Sequence, residues 1–174
     1  MMGRQRPDPW AHTTLPGELP SLQPPPASDD LERFVHAQDR VWDQVIDELR
    51  AGSKRSHWMW FVFPQLRGLG RSDLARRYGI ASLAEAQAYM AHPLLGPRLR
   101  ECSALLELQH GRSALAIFGG IDEMKLRSCL TLFERAAPGE PAFGRLLVQY
   151  FRGQRDASTL WMLDGPSRGG PPRG

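Results

Sequence analysis

Chemically versatile side chains are concentrated in the segment 54–65, KRSHWMWFVFPQ, where two cations precede an imidazole, two indoles and an amide. Aromatic faces beside cations are groups that suit a nucleobase and a phosphate. The same run also suits a core segment, because indole and phenyl rings are usually buried. The sequence leaves both interpretations open, a piece of the hydrophobic core or the wall of a ligand pocket. The candidate ligand-binding residues in this run are Lys54, Arg55, His57, Trp58, Trp60 and Gln65.

A second polar group lies in the segment 68–73, GLGRSD. It has too few glycines, and no preceding strand, for a dinucleotide-binding fingerprint. The backbone amides of a tight turn, with Ser72 at a helix start and Arg71 beside it, can hold an anion. An ordinary capped turn explains the same residues, so both interpretations stay open here.

A third polar group, GGIDEMKLRS at 119–128, contains Asp122 and Lys125 at a spacing of three. This spacing places the two side chains on one face of a helix. Lys125 is one of only two lysines in an arginine-rich chain. This indicates that the position requires an ammonium group rather than a guanidinium group. The alternative is that Asp122 caps the helix and Lys125 is a solvated surface residue.

Asp122 and Glu32 are the candidate catalytic carboxylates, either for proton transfer or for stabilising a cationic sugar in a transition state. The chain contains no Gly-x-Ser-x-Gly elbow, no P-loop and no zinc-ligand spacing among its five histidines and two cysteines. We therefore expect no metal and no cofactor. Whether the protein is an enzyme stays open. If it is one, we expect a hydrolase that acts on a nucleotide-like or ADP-ribose-like substrate.

Charge is polarised along the chain rather than basic throughout. Segment 29–49 has seven acidic residues against two basic ones, a net charge of −5, and segment 50–77 has seven basic residues against one acidic, a net charge of +6. This polarity supports a second function, a non-enzymatic module that docks a protein partner through an acidic face (29–49) and a basic face (50–77). Because the charges of the domain otherwise nearly cancel, specific nucleic-acid binding is not expected.

Composition divides the 174 residues into one domain and two tails. Residues 1–28 hold seven prolines and residues 165–174 read GPSRGGPPRG, so both tails are expected to be disordered. The domain, 29–164, is long enough for a single hydrophobic core. No apolar run approaches the length of a membrane span. Cys102 and Cys129 fit buried thiols in a reducing compartment, so a cytoplasmic location is expected.

Short stretches with apolar residues at spacings of three and four predict an all-α domain of many short helices. Residues with capping side chains precede these stretches. They are Asp29, Asp39, Ser72, Ser82, Ser113, Asp122 and Asp156. The aromatic run fits either a strand or a short helix capped by Ser56. The helix is favoured because the sequence offers no partner strand.

Five blocks, in their order along the chain, resemble the bacterial family called domain of unknown function 1810. They are GSKRSHWMWFVFPQLRGLGRS, ARRYGI, AYMAHPLLGPRLRE, IFGGIDEMKLRSCLTLF and YFRGQRD. The resemblance covers the region from Leu31 to Asp164 and implies an all-helical fold. It implies no activity, because the family is uncharacterised.

The segment FVHAQ, residues 34–38, is also similar to an early aromatic–Ala–Gln block of the NADAR family, whose members cleave N-glycosidic bonds in ADP-ribose-type compounds. This similarity is short and supports an analogy only. It adds Gln38 to the candidate ligand-binding residues, and it adds an N-glycosidase to the possible activities.

Overall fold

The computed structural model describes residues 27–166, so the predicted disorder of the tails falls almost entirely outside the described residues. Within this range the chain forms ten helices and no strand, which confirms the all-α prediction. The helices are α1 (Ala27–Asp39), α2 (Trp42–Ala51), α3 (Met59–Val62), α4 (Asp73–Arg77), α5 (Leu83–Ala91), α6 (Leu95–Glu107), α7 (Ala114–Phe118), α8 (Gly120–Ala136), α9 (Ala142–Phe151) and α10 (Ala157–Asp164).

Helix α8 is the centre of the packing. It contacts α5, α7, α9 and α10, and its Leu126, Leu130 and Phe133 side chains are fully buried. Helix α6 packs against α2, α5 and α9, while α1 packs against α3 and α5. The short helices cannot bury their apolar faces alone, so each depends on these tertiary contacts for its stability.

Four of the predicted N-caps are confirmed. The side chains of Ser72, Ser82, Ser113 and Asp156 each accept a hydrogen bond from the backbone N–H three residues later. Such a bond satisfies one of the free N–H groups of the first helical turn and is worth about 1 kcal/mol. The predicted end of α2 is also confirmed, because Gly52 follows the helix in the left-handed conformation with φ of +64°.

Three other predicted caps are wrong, because the helices begin at different residues. Helix α1 begins two residues before Asp29, and α2 begins three residues after Asp39. Helix α8 begins at Gly120, so Asp122 lies inside its first turn. The carboxylate of Asp122 is therefore available for contacts with other side chains.

The aromatic run forms the single helical turn α3, which confirms the helix prediction. Ser56 does not cap this turn, because the residue preceding it is Trp58 and the Ser56 hydroxyl donates a hydrogen bond to Glu48 instead. After α3 the chain passes beside a later segment, and a single parallel bridge joins Leu66 to Ile80. This bridge ties the loop after the aromatic run to the loop between α4 and α5.

Two further expectations concern the environment of the chain. Between residues 27 and 166 there is no helix with the length and apolar character needed to cross a bilayer. Cys102 and Cys129 are free and buried, as predicted. Burial raises the pKa of both thiols, because the interior disfavours the thiolate.

Candidate functional site

A cavity of about 360 Å³ lies at the junction of α7 and α8, beside the aromatic run. It is a shallow depression that is open to solvent on one side. His57 and Trp60 form one wall. The other wall consists of residues 118–122 and Lys125. Both the aromatic run and the polar group of α8 therefore contribute to one site.

The polar side of this cavity is formed by an ion cluster centred on Asp122. Its Oδ2 atom lies 2.8 Å from Nζ of Lys54, and its Oδ1 atom lies 3.3 Å from Nζ of Lys125. The three side chains are 18%, 7% and 16% exposed, respectively, so water screens these contacts less than at an open surface. Two ammonium groups against one carboxylate leave one net positive charge in the cluster.

The second lysine of the cluster also contacts an aromatic ring. Nζ of Lys125 lies 4.3 Å from the centroid of the Trp60 ring, within the range of a cation–π contact. This contact and the bond to Asp122 hold the ammonium between an indole face and a carboxylate. The charge of Lys125 is thereby fixed at the edge of the cavity instead of moving freely in solvent.

The start of α8 adds backbone donors to the same cavity. Gly119 precedes the helix with φ of +83°, a conformation that favours glycine, and no side chain caps the helix. The first N–H groups of a helix have no partner within the helix, and the helix dipole places partial positive charge there. The cavity therefore combines an ammonium, backbone donors and an aromatic face, a combination that suits an anion attached to a flat ring.

Trp58, only two residues before Trp60, lies in a different environment. Its side chain is 1% exposed and packs near the rings of Phe63 and Phe118. Its Nε1–H donates a hydrogen bond of 2.8 Å to Glu48 of α2. Trp58 therefore offers no face to a ligand, and the prediction that it lines the cavity is not supported by its position.

The carboxylate of Glu48 is the shared acceptor of the hydrogen-bond donors around Trp58. Besides the indole, its carboxylate accepts hydrogen bonds from the backbone N–H groups of Arg55 and Ser56 and from the Ser56 hydroxyl. Burial alone would raise the pKa of this carboxyl group, but the bonds from Ser56, Arg55 and Trp58 together outweigh burial and lower it. The cluster locks the start of the aromatic run onto α2.

Lys54 connects the two clusters. Its ammonium bonds to Asp122, lies 5.1 Å from the centroid of the Trp58 ring and donates to the carbonyl oxygen of Ser56. The Lys54 side chain is only 7% exposed and does not line the cavity, so it has little access to a ligand. Its role in the site is to hold Asp122 in place.

A second cavity of about 310 Å³ adjoins the first, since Ile121 and Lys125 line both. It lies between the loop after α3, the outer face of α8 and the start of α10. Gln65 lines this second cavity, so the structure places it near Lys125 but away from His57 and Trp60. The other residues that line it are Leu69, Gly70, Met124, Ser128, Asp156 and Ser158.

The chain matches the family described as "Protein of unknown function (DUF1810)" over residues 28–163. It belongs to this family. A solved structure similar to this DUF1810 protein is that of the conserved hypothetical protein Rv1873 from Mycobacterium tuberculosis, with 56% sequence identity, a TM-score of 0.77, and coverage of 79% of this chain and 98% of that chain. None of the curated proteins matches the chain. The family resemblance is thus confirmed, whereas the NADAR similarity stays a prediction.

Two other predicted site residues of this DUF1810 protein lie outside both cavities. Glu32 is half exposed on α1, where its carboxylate lies 3.7 Å from His36 and 3.9 Å from His92. Gln38 is buried, and its amide donates to the backbone oxygen of Phe61 and to the hydroxyl of Tyr89. Gln38 therefore joins α1 to α3 and α5, and neither residue is part of the candidate site.

The remaining predicted residues lie at the surface. Arg55 is exposed, and only its backbone N–H takes part in the Glu48 cluster. Ser72 caps α4 by accepting from Ala75, which agrees with the ordinary interpretation of the GLGRSD turn. Arg71 is exposed and follows Gly70, a residue of the second cavity. The segment 68–73 is thus near the second cavity but does not form an anion site by itself.

Several site residues of the DUF1810 protein were missed by the sequence analysis. The glycine pair before Asp122 was a detectable signal, because a helix that starts with glycine leaves its N–H groups uncapped. No sequence pattern marked Ile121 or Ser158 as site residues, since exposed isoleucine and serine occur on many helices. Ile121 is 76% exposed, and Ser158 is also exposed. Glu48 was also missed, because it is one of several acids on α2 and only its tertiary neighbours distinguish it.

Proposed function

We propose that the cavity at the start of α8 binds a small anionic ligand that carries a flat aromatic group, such as a nucleotide. The observation that carries this proposal is the Asp122–Lys125–Trp60 arrangement, in which one ammonium lies 3.3 Å from a carboxylate oxygen and 4.3 Å from an indole centroid. The ammonium is pre-positioned, so a ligand anion would not have to order a flexible lysine on binding.

The chemistry of each wall supports a nucleotide rather than a simple anion. Lys125 covers one face of the Trp60 ring, so the imidazole of His57 and the uncovered part of Trp60 are the surfaces on which a base can pack. Lys125 and the uncapped N–H groups at Gly120 and Ile121 offer positive charge and donors for a phosphate. Lys54, Lys125 and Asp122 together carry one net positive charge, and Glu123 of the same helical turn does not line the cavity, so the charges at the cavity wall favour an anion.

The proposal is for binding rather than hydrolysis. Both oxygens of Asp122 face a lysine ammonium, so this carboxylate already has two partners and is best placed to orient Lys54 and Lys125. Glu32 lies on α1 beside two histidines and lines neither cavity. Neither carboxylate is therefore proposed to act on a substrate.

Isothermal titration calorimetry of the full chain with ADP tests this function. We expect saturable binding, and we expect Trp60→Leu and Lys125→Gln each to weaken it by about tenfold, since a stacked base or a charge-assisted hydrogen bond is worth about 1–3 kcal/mol. Because Trp60 and Lys125 contact each other, urea denaturation of both variants must show wild-type folding before the loss of affinity is assigned to the ligand.

Trp42→Leu is the matched control. The Trp42 ring also makes a cation–π contact, with the guanidinium carbon of Arg98 at 4.6 Å from its centroid. Trp42 lines a separate cavity. We expect its ADP affinity to equal that of the wild type. The proposal is rejected if ADP produces no saturable heat, or if Trp42→Leu weakens ADP binding as much as Trp60→Leu does.

A further inference from the structure

We propose that the two adjoining cavities form one site for a two-part ligand, in which a diphosphate joins a nucleoside to a sugar. This inference rests on the proposed function and extends it by naming the ligand class, a nucleoside diphosphate sugar. The base lies against Trp60 in the first cavity, the phosphates lie at Lys125, and the sugar lies in the second cavity.

The position of Lys125 is the first reason. Lys125 lines both cavities, so its side chain stands at their boundary, with its ammonium held beside Trp60 and Asp122, and Ile121 lines both from the same face of α8. A ligand that occupies both cavities must pass this boundary. The charged part of such a ligand is therefore its middle, and the uncharged parts lie on the two sides.

The chemistry of the second cavity is the second reason. Its polar groups are the amide of Gln65, the hydroxyl of Ser158, the hydroxyl oxygen of Ser128 and Oδ1 of Asp156. The Ser128 hydroxyl already donates to the Met124 carbonyl, and Oδ2 of Asp156 accepts from Thr159, so these two groups can offer a sugar only acceptor atoms. Amide, hydroxyl and carboxylate groups pair with the hydroxyls of a sugar, which both donate and accept hydrogen bonds. The negative charge of Asp156 would repel a phosphate in this cavity. The phosphates are therefore placed near Lys125.

The size of the two cavities is the third reason. Ligand pockets commonly measure about 300–1,000 Å³. The cavities of about 360 and 310 Å³ each lie at the lower limit of this range, whereas the two together lie well inside it. Ile121 and Met124, which are 76% and 61% exposed, form an apolar ridge over which such a ligand can lie.

Calorimetric titrations of the full chain with two ligand pairs test the inference, ADP against ADP-ribose and UDP against UDP-glucose. Within each pair the second ligand adds a sugar and loses one negative charge, because its terminal phosphate becomes a diester. Tighter binding of the sugar-bearing ligand therefore cannot be explained by charge. We expect each sugar-bearing ligand to bind about tenfold more tightly than its parent nucleotide, as one or two added hydrogen bonds would give. Ser158→Phe fills the second cavity from an exposed position and is expected to remove this difference without changing the affinity for ADP.

Ala84→Phe is the matched control, because Ala84 is also exposed and is also the second residue of its helix, α5. It should leave all four affinities unchanged. Equal affinities within each pair in the wild type, or an equal loss for ADP and ADP-ribose in Ser158→Phe, overturns the two-part site while ADP binding still supports the proposed function. If neither ADP nor ADP-ribose binds, both proposals are rejected.

Discussion

Trp58 and Trp60 are two residues apart, yet their indoles have opposite roles in the architecture. Trp58 is 1% exposed and donates its N–H to Glu48, whereas Trp60 is partly exposed and holds the ammonium of Lys125 over its ring. Each indole is thus paired with a cluster of charged groups, one closed and one open. In the closed cluster every hydrogen bond serves the fold, and in the open cluster the charge remains accessible to a ligand.

The difference arises from the helix that faces each indole. The carboxylate opposite Trp58 comes from α2 and accepts four hydrogen bonds, so it has no further capacity for a ligand. The carboxylate at the Trp60 side comes from α8 and holds two lysines, so positive charge exceeds negative charge. The carboxylate of Glu48 is thus surrounded by donors that belong to the fold, while the carboxylate of Asp122 is outnumbered by the ammonium groups beside it.

The largest expected effect comes from breaking the closed cluster with Glu48→Ala. This change leaves the buried Trp58 indole N–H and the half-buried backbone N–H groups of Arg55 and Ser56 without their acceptor. We expect the free energy of unfolding to fall by about 3 kcal/mol. Urea denaturation followed by circular dichroism measures it, with Asp47→Ala as the control.

Asp47 precedes Glu48 on the same helix and is exposed. Its replacement is expected to change the free energy of unfolding by less than about 0.5 kcal/mol. Equal losses in Asp47→Ala and Glu48→Ala would show that the helix, and not the hydrogen-bond cluster, sets the stability of this region.

A smaller effect is expected from comparing Trp58→Phe with Trp60→Phe. The first change removes the donor to Glu48 and leaves space in the core, so we expect a loss of about 1–2 kcal/mol in the free energy of unfolding. The second change keeps a ring at the cavity wall and is expected to cost less than about 1 kcal/mol. Urea denaturation of the two variants side by side measures the difference, and the reverse order would contradict the assignment of a closed and an open cluster.

The smallest effect is a pH dependence of the closed cluster. Because the pKa of Glu48 is lowered in the folded protein, its contribution to stability is present above its ordinary pKa of 4.5 and is lost as the pH falls through the folded value. Glu48→Gln cannot lose this contribution. The difference in unfolding free energy between the wild type and Glu48→Gln should therefore shrink from about pH 6 to about pH 3, as measured by urea denaturation, whereas a constant difference would contradict the lowered pKa.

Local features of the fold were predictable because the interactions that form them are local. Ser72, Ser82 and Ser113 cap their helices by bonding to an N–H only three residues away, so the pattern is visible in the chain itself. The aspartates Asp39 and Asp122 are not caps, and each pairs instead with a cation from a distant segment, Arg98 in the first case and Lys54 in the second. A carboxylate that finds a distant cation gives no sign of it in its sequence neighbours.

The candidate site was predictable in part for the same reason. The pairing of Asp122 with Lys125 follows from their helical spacing, and it was foreseen as one of two interpretations. The contact of Lys54 with Asp122 spans 68 positions, and no local pattern indicates it. Gln38 was proposed for a ligand, but a buried amide that joins three helices depends on how those helices pack.

The sequence alone determined that this protein is an all-helical domain, where four of its helices begin, and that an aromatic turn lies beside a charged segment. Only the tertiary structure decided which of the two indoles is buried and which lines a cavity. The physical reason is that helix formation depends on residues within four positions of each other, whereas the burial of a side chain depends on the helices that pack against it. Here those helices are α2 for Trp58 and α8 for Trp60.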